Sequence, residues 1–489
     1  MGIAKLYGQK ASGTNINGII KDYHAYAGEN ISAGDLVEYI NGIASKVDYG
    51  TSKDTAIDTA EYSGREISAV ELDNNRVFIA FAPDSTYYLH SIVVTIQGAN
   101  IILGTKTQLS TKKYSGGMIS AVLVEKNKVF IAHSSDSHTA NTNYLNGMVC
   151  TISETTIMAS SSVQISSGNI SGFHALTELL PSGKIFIAHS YGSDYYLYGM
   201  LVTISGTTIT AGTDTAINAN SRTATNISTT LLPNEKVFIA HSYNTKKYLY
   251  STAVTISGTT ITAGTSTKLV EVDMASYTIS TALLPNGKVL ITHSYSSNYY
   301  LYAIMVTLNG ATITPSTDTS LSTNKYSGYR ISTLPVSNNK ALIFHCDSAT
   351  YILRGMICNI NDTLIEVLTD IALNNNGSGY GISSILLKNG TIFTAHSHTE
   401  NLHYLYAQIF AFDEVNNTPT NNIIITEYET QVRKTTTSKF DGVAKTSGVG
   451  GNETGHKDLV SIYTLDTNFI TRDGNAIMTA DKNTFITKQ

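Results

Sequence analysis

The chain has 489 residues, 42% of them hydrophobic but only 14% charged, with 37 glycines, 30 tyrosines and no tryptophan. That length exceeds what one hydrophobic core organises, so it requires several domains or a repeat array, and the Ser/Thr/Asn/Tyr-rich composition favours strands over helices. A net charge of −5 without a Lys/Arg cluster argues against nucleic-acid and anionic-membrane binding, and no run of about eighteen apolar residues marks a membrane span.

From the N-terminus, residues 1–7 (MGIAKLY) lead into polar sequence without an apolar signal region, so synthesis in the cytoplasm without a signal peptide is expected. Within the first segment, residues 1–46, the stretch 29–42 (ENISAGDLVEYING) reads as part of a small β module. Residues 43–47 (IASKV) and 50–57 (GTSKDTAI) then read like an outermost strand placed ahead of the first repeat.

The repeat follows. An anchor of the form Val-Phe-Ile-Ala-His starts at Val77, Val129, Ile185, Val237, Val289, Ala341 and Ile392, in steps of 52, 56, 52, 52, 52 and 51 residues. The one long step coincides with a longer loop at 134–143. Before each anchor lies a short apolar run, such as 67–72 (ISAVEL), 227–232 (ISTTLL) or 279–284 (ISTALL). Turn residues such as PSG at 181–183 and PNG at 285–287 separate the two, so run and anchor form a hairpin, strands A and B. A polar loop, a Tyr-Leu-Tyr strand (C), a Ser-Gly turn and a Thr-rich strand (D) complete the unit. Seven such units, each too small to bury its own faces, predict an all-β, seven-bladed β-propeller over residues 47–423. The stretch 43–57 is expected to complete the last blade and close the ring, with 422–427 (NIIITE) as the competitor for that place.

Beyond the array, residues 424–489 contain 440–451 (FDGVAKTSGVGG) and 459–463 (LVSIY), and end in a polar arm. Together with 29–42 these stretches resemble two halves of a small β module found in virion proteins of tailed bacteriophages. The Val-Phe-Ile-Ala-His repeats are similar to those of tail or baseplate proteins of clostridial-type phages and tail-like bacteriocins. The resemblance implies a propeller inserted into a split attachment module, 1–46 with 424–489. It also implies residence in the virion, other tail or baseplate proteins as partners, and several copies on a symmetric particle.

Three groups of residues could carry function. The anchor histidines His133, His189, His241, His293, His345 and His396, with Phe81 in the first unit, repeat in nearly every blade. A group so repeated satisfies the same local hydrogen bond each time, so a structural role is expected. The loops between strands B and C carry Tyr87, Tyr191, Asp194, Tyr243, Tyr295 and Asn298, a mixture suited to sugars. The connections from D to the next A bring Arg65, Arg222 and Arg330 to the same end of the blades. Three arginines invite comparison with sialidases, but no Asp-box and no acidic pair accompanies them. They are therefore expected to bind an anionic glycan without cleaving it.

Metal, nucleotide and hydrolase motifs are absent, and the three cysteines lack zinc or disulfide spacing, so no cofactor or metal is expected. These readings combine into a non-enzymatic virion protein whose loop face binds a bacterial surface polysaccharide or protein. The alternatives are a structural spacer on head, neck or tail and a sialidase-like depolymerase.

Overall fold

The computed structural model describes residues 54–410 with their side chains except at short loop stretches, of which 84–86, 135–142, 296–298, 348–351, 374–380 and 399–402 are the longest. Outside that span it describes only the backbone of short strands, at 22–27, 36–40, 43–46, 411–413, 418–420, 442–444, 459–464, 477–478 and 485–486.

Blade 3 shows how the repeat folds. Strand A (Ala175–Leu179) pairs antiparallel with strand B (Ile185–Tyr191), B with C (Tyr196–Ser205), and C with an outer strand in two pieces (Thr208–Ala211 and Thr215–Asn218). Gly183, at φ +79°, closes the A–B turn by donating its N–H to the Leu180 carbonyl at 2.9 Å, and Gly206, at φ +61°, closes the C–D turn. Both positions need the left-handed region, which glycine enters without a Cβ penalty.

Strand B is apolar without alternation because both of its faces are covered. In blade 3, Ile185, Phe186, Ile187 and Ala188 are all fully buried. Phe186 packs with Val237 and Ile239 of blade 4, whereas Ile185 and Ile187 pack with Phe130 and Ala132 of blade 2. Every junction repeats this arrangement. One apolar cluster joins Ile79, Phe81 and Ile92 of blade 1 to Phe393, Leu405 and Ile409 of blade 7. Seven blades and seven junctions make a closed ring, in which each inner strand A touches the next, the last touching the first.

A belt of serines ties the inner strands together. Ser68 Oγ accepts the Ala121 N–H of the next blade at 3.0 Å, and Ser120, Ser228, Ser280, Ser332 and Ser383 do the same across their junctions at 3.0–3.3 Å. Blade 3 carries Leu176 at this place. Its junction with blade 4 is bridged instead by Thr229 Oγ1, which donates to Glu178 Oε1 at 2.8 Å. The recurring Ile-Ser at the start of strand A thus satisfies a neighbour's backbone donor.

Ring closure uses both ends of the array. Thr55–Asp58 pairs with Leu405–Ala407, and Thr418–Thr420 pairs with Ala411–Asp413, so the two pieces of blade 7's outer strand come from opposite ends of the chain. The stretch 422–427 lies outside the described residues. Ile43–Lys46, expected on this edge, pairs instead with Leu36–Ile40 in a small closed sheet that also takes in Asp22–Ala27, Gly442–Ala444 and Leu459–Thr464.

Candidate functional site

The end of the ring where strands B meet strands C is built by a repeated latch. In Tyr62-Ser63-Gly64, the Ser63 hydroxyl accepts the Leu405 N–H of blade 7 at 2.9 Å, and the Gly64 N–H donates to the His403 carbonyl at 2.7 Å. Ser115, Ser171, Thr223 and Ser327 each accept the corresponding Leu N–H at 2.9–3.0 Å. A Cβ on Gly64 would stand 2.6 Å from the Ser397 backbone, which explains the glycine. Each latch thereby fixes the D–A connection of one blade against the B–C loop of the blade before.

At this end of the ring the backbone is bent into the left-handed region at bulky residues. Tyr62, Tyr87, Tyr195, Arg222, Lys247, Tyr299, Tyr326 and His403 all have φ between +52° and +67°. Such backbone is uncommon outside glycine and asparagine and marks places where function is worth seeking.

The charged residues gather at one sector. The position immediately before strand A holds Glu66, Met118, His174, Asn226, Thr278, Arg330 and Gly381 in blades 1 to 7. Gly381 brings no side chain between Arg330 of blade 6 and Glu66 of blade 1. Burial, which withholds water from the charged form, pushes the Glu66 carboxyl up to about 7 against the lowering pull of Arg330 and Arg65. The same two arginines, added to burial, push His403 down to about 4. Arg65 lies 4.2 Å over the Tyr62 ring and donates from Nη1 to Tyr87 Oη at 3.1 Å, while Arg330 lies 5.3 Å from the Tyr329 ring. Two of the three sequence-predicted arginines therefore meet at blades 6, 7 and 1, with Tyr87 among them. Arg222 sits apart, 6.0 Å from the Tyr195 ring, near enough to Lys247 to help burial lower that lysine's pKa.

The other predicted loop residues are placed differently. Tyr191, Tyr243 and Tyr295 are half-buried and stack on Tyr198, Tyr250 and Tyr302 at 4.2–4.3 Å between centroids, so one face of each ring is already used within the blade. Exposed Asp194 accepts from Tyr196 Oη at 3.1 Å. Asn298 lies outside the described residues.

The six histidines are buried beneath this end. Nδ1 of each faces the carbonyl of the following residue at 2.7–3.1 Å and must donate to it. Nε2 reaches the outer strand. In blades 3, 5, 6 and 7 it meets Asp214, Asp318, Asp370 and Asp54 at 2.9–3.1 Å, and in blades 2 and 4 Ser162 and Ser266 at 3.0 and 3.2 Å. Burial pushes His133 and His241, the two paired with serine, down to about 4. For Asp370 burial acts upward, but bonds from His345 and Arg354 outweigh it and hold the carboxyl below its ordinary value. Asp54 ties the start of the array to His396 of the last blade. Blade 1, with Phe81, carries Lys106 where the partner would be, and Lys106 pairs with Asp58 at 2.8 Å.

Sequence reasoning missed Glu66, His174, Lys247 and His403. The B–C series Tyr195, Lys247, Tyr299 and His403, at intervals of 52 residues or twice that, was the available signal. All three cysteines are free and buried, which pushes their thiols up to about 12, and no cluster of metal-binding side chains occurs among the described residues.

No protein-family model matches the chain, and no curated protein matches its sequence. Solved structures match its fold. A polysaccharide lyase, the ulvan lyase of family PL25 bound to -[GlcA(1-4)Rha3S]-, shares 8% identity over 73% of this chain and 95% of its own, with TM-score 0.47. The NanB sialidase of Streptococcus pneumoniae shares 12% identity over 74% and 70%, with TM-score 0.46. A putative 6-phosphogluconolactonase from Bacteroides fragilis shares 11% over 63% and 84%, with TM-score 0.47. This is the similarity of a propeller fold to carbohydrate-active proteins, and none of these structures is a phage tail protein. The expectation of a non-enzyme is corrected by this comparison, since the neighbours named here are enzymes.

Proposed function

We propose that the mouth of the ring at blades 6, 7 and 1 binds an acidic carbohydrate. The observation that carries this reading is the gathering of Arg65 and Arg330, from blades far apart in sequence, around Glu66 and beside Tyr62, Tyr87 and Tyr329. Guanidinium forks match a carboxylate or sulfate, and tyrosine offers sugars a flat apolar face with a polar edge. In a protein of net charge −5, a local cationic mouth favours a particular ligand over general attraction to anions.

The two end segments, with their resemblance to tailed-phage virion modules, supply the setting. The propeller is carried on a tail or baseplate, and the carbohydrate is a bacterial surface polymer met by several copies at once. Titrating the full chain with galacturonate oligomers tests the mouth. Arg65→Ala with Arg330→Ala is expected to weaken binding by about 2 kcal/mol or more, roughly thirtyfold. Unchanged affinity overturns the assignment. Particles carrying the chain without residues 54–420 are expected to assemble but not adsorb, and normal adsorption removes the receptor role.

A second reading, acid–base chemistry on the bound sugar, is favoured by one observation. Glu66, pushed up to about 7, gains and loses its proton near neutral pH beside two arginines, a behaviour suited to proton transfer. New reducing ends or unsaturated products from an acidic polysaccharide, lost in Glu66→Gln, would establish turnover, and a polymer of unchanged length would remove it.

A further inference from the structure

The mouth continues beyond the arginine pair. From Arg330 the Tyr329 ring is 5.3 Å away, Tyr329 stacks with Tyr277 at 6.1 Å, and Lys247 Nζ lies 4.2 Å from the centre of Tyr277. Tyr299 wedges edge-on against both tyrosines, at 4.6 and 5.3 Å. Each of these tyrosines is half-buried, so part of its surface stays open to solvent. At the far end, Lys247 and Arg222 are close enough that the guanidinium helps burial hold the lysine below its ordinary pKa, and Lys247 in turn helps burial push His174 down to about 3. Among the described residues neither cation forms an ion pair with a carboxylate. Both sit on left-handed backbone, at φ +54° and +59°. Two like charges held together on uncommon backbone make a place where an external anion relieves repulsion.

We infer that the mouth is a track for an extended acidic oligosaccharide, with a second anion subsite at Arg222 and Lys247 joined to the Arg65–Arg330 subsite by the tyrosines Tyr277, Tyr299 and Tyr329. This deepens the acidic-carbohydrate reading of the mouth and rests on it. Cations at the two ends take acidic groups on separated sugar units, and the tyrosine faces between them take the apolar faces of the intervening rings. The track runs from blade 4 to blade 1 through blades 5, 6 and 7. It therefore selects for length, because a single sugar reaches one cationic end only. The second anchor acts within an already bound ligand, at high effective concentration, so affinity rises steeply once the ligand spans both ends.

The test is titration of the full chain with galacturonic acid and its oligomers of increasing length at fixed, low salt. Wild type is expected to bind the longest oligomers at least tenfold tighter, per molecule, than the short ones. Lys247→Asn with Arg222→Asn, chosen because asparagine tolerates left-handed backbone, is expected to abolish that gain, so that long and short oligomers bind alike through the Arg65–Arg330 end alone. Tyr277→Leu with Tyr329→Leu is expected to reduce it as well, and far-UV circular dichroism and the thermal midpoint check that each variant is folded. Affinity independent of length, or a full length effect in folded Lys247→Asn/Arg222→Asn, overturns the track while leaving the arginine mouth standing. If no galacturonate of any length binds, the acidic-carbohydrate reading fails, and the track fails with it.

Discussion

Glu66 makes anion binding at the mouth depend on pH in a direction the structure dictates. Its carboxyl, pushed up to about 7 by burial despite Arg330 and Arg65, competes with a ligand anion for those arginines whenever it is ionised. His403, held near 4, and the arginines keep their charge states between pH 6 and 8, so Glu66 alone among these groups titrates there. If the ligand anion binds only when Glu66 is protonated, affinity follows the protonated fraction, about nine-tenths at pH 6 and one-tenth at pH 8. Binding of a sulfated or uronate ligand is therefore expected to weaken about tenfold from pH 6 to pH 8. Glu66→Gln, a permanent mimic of the protonated form, is expected to bind equally at both pH values and as tightly as wild type does at pH 6. Calorimetric titration at constant ionic strength reads both proteins. A flat wild-type profile, or a tenfold fall that survives in Glu66→Gln, refutes the competition.

Three further outcomes follow from the framework that holds the mouth. His241 stays neutral when folded down to about pH 4 but takes up a proton near 6.5 once unfolded. Stability is thus lost as pH falls from 6.5 towards 4, by about 3 kcal/mol for this residue in total. His241→Gln should lower the slope of unfolding free energy against pH by about 1.4 kcal/mol per unit in that window, measured by denaturant titration. Ser228→Ala leaves the Thr281 N–H of the next blade without its acceptor and should cost about 1–3 kcal/mol, whereas Leu176→Ser, at the one gap in the belt, should not destabilise comparably. Phe186→Ala empties a fully buried site between blades 3 and 4 and should cost about 3–5 kcal/mol by the same measurement.

The propeller was legible because its anchor is a consequence of burial. A strand covered on both faces must be apolar without alternation, and seven such strands at one spacing determine the blade count. The closure was only half legible, since nothing in residues 43–57 distinguishes Ile43–Lys46, which pairs elsewhere, from Thr55–Asp58, which enters blade 7. For the site, arginine identity was readable and arginine convergence was not. Arg65 and Arg330 belong to opposite ends of the array, and only closure through a blade with glycine at position 381 brings them together. Tyr191, Tyr243 and Tyr295 read as exposed recognition residues because a sequence does not show that a second tyrosine, seven residues on, covers one face of each ring. The partners of the histidines were readable in principle, since Asp214, Asp318 and Asp370 each follow their histidine by 25 residues.

The most direct test of the central claim is the position of a bound acidic oligosaccharide. A crystal structure of the full chain with a galacturonate oligomer is expected to show sugar density over Tyr62, Tyr87 and Tyr329, with a carboxylate within hydrogen-bonding distance of Arg65 and Arg330. Density confined to the outer rim, or to the stacked pairs at Tyr191, Tyr243 and Tyr295 with the mouth occupied only by solvent, contradicts it.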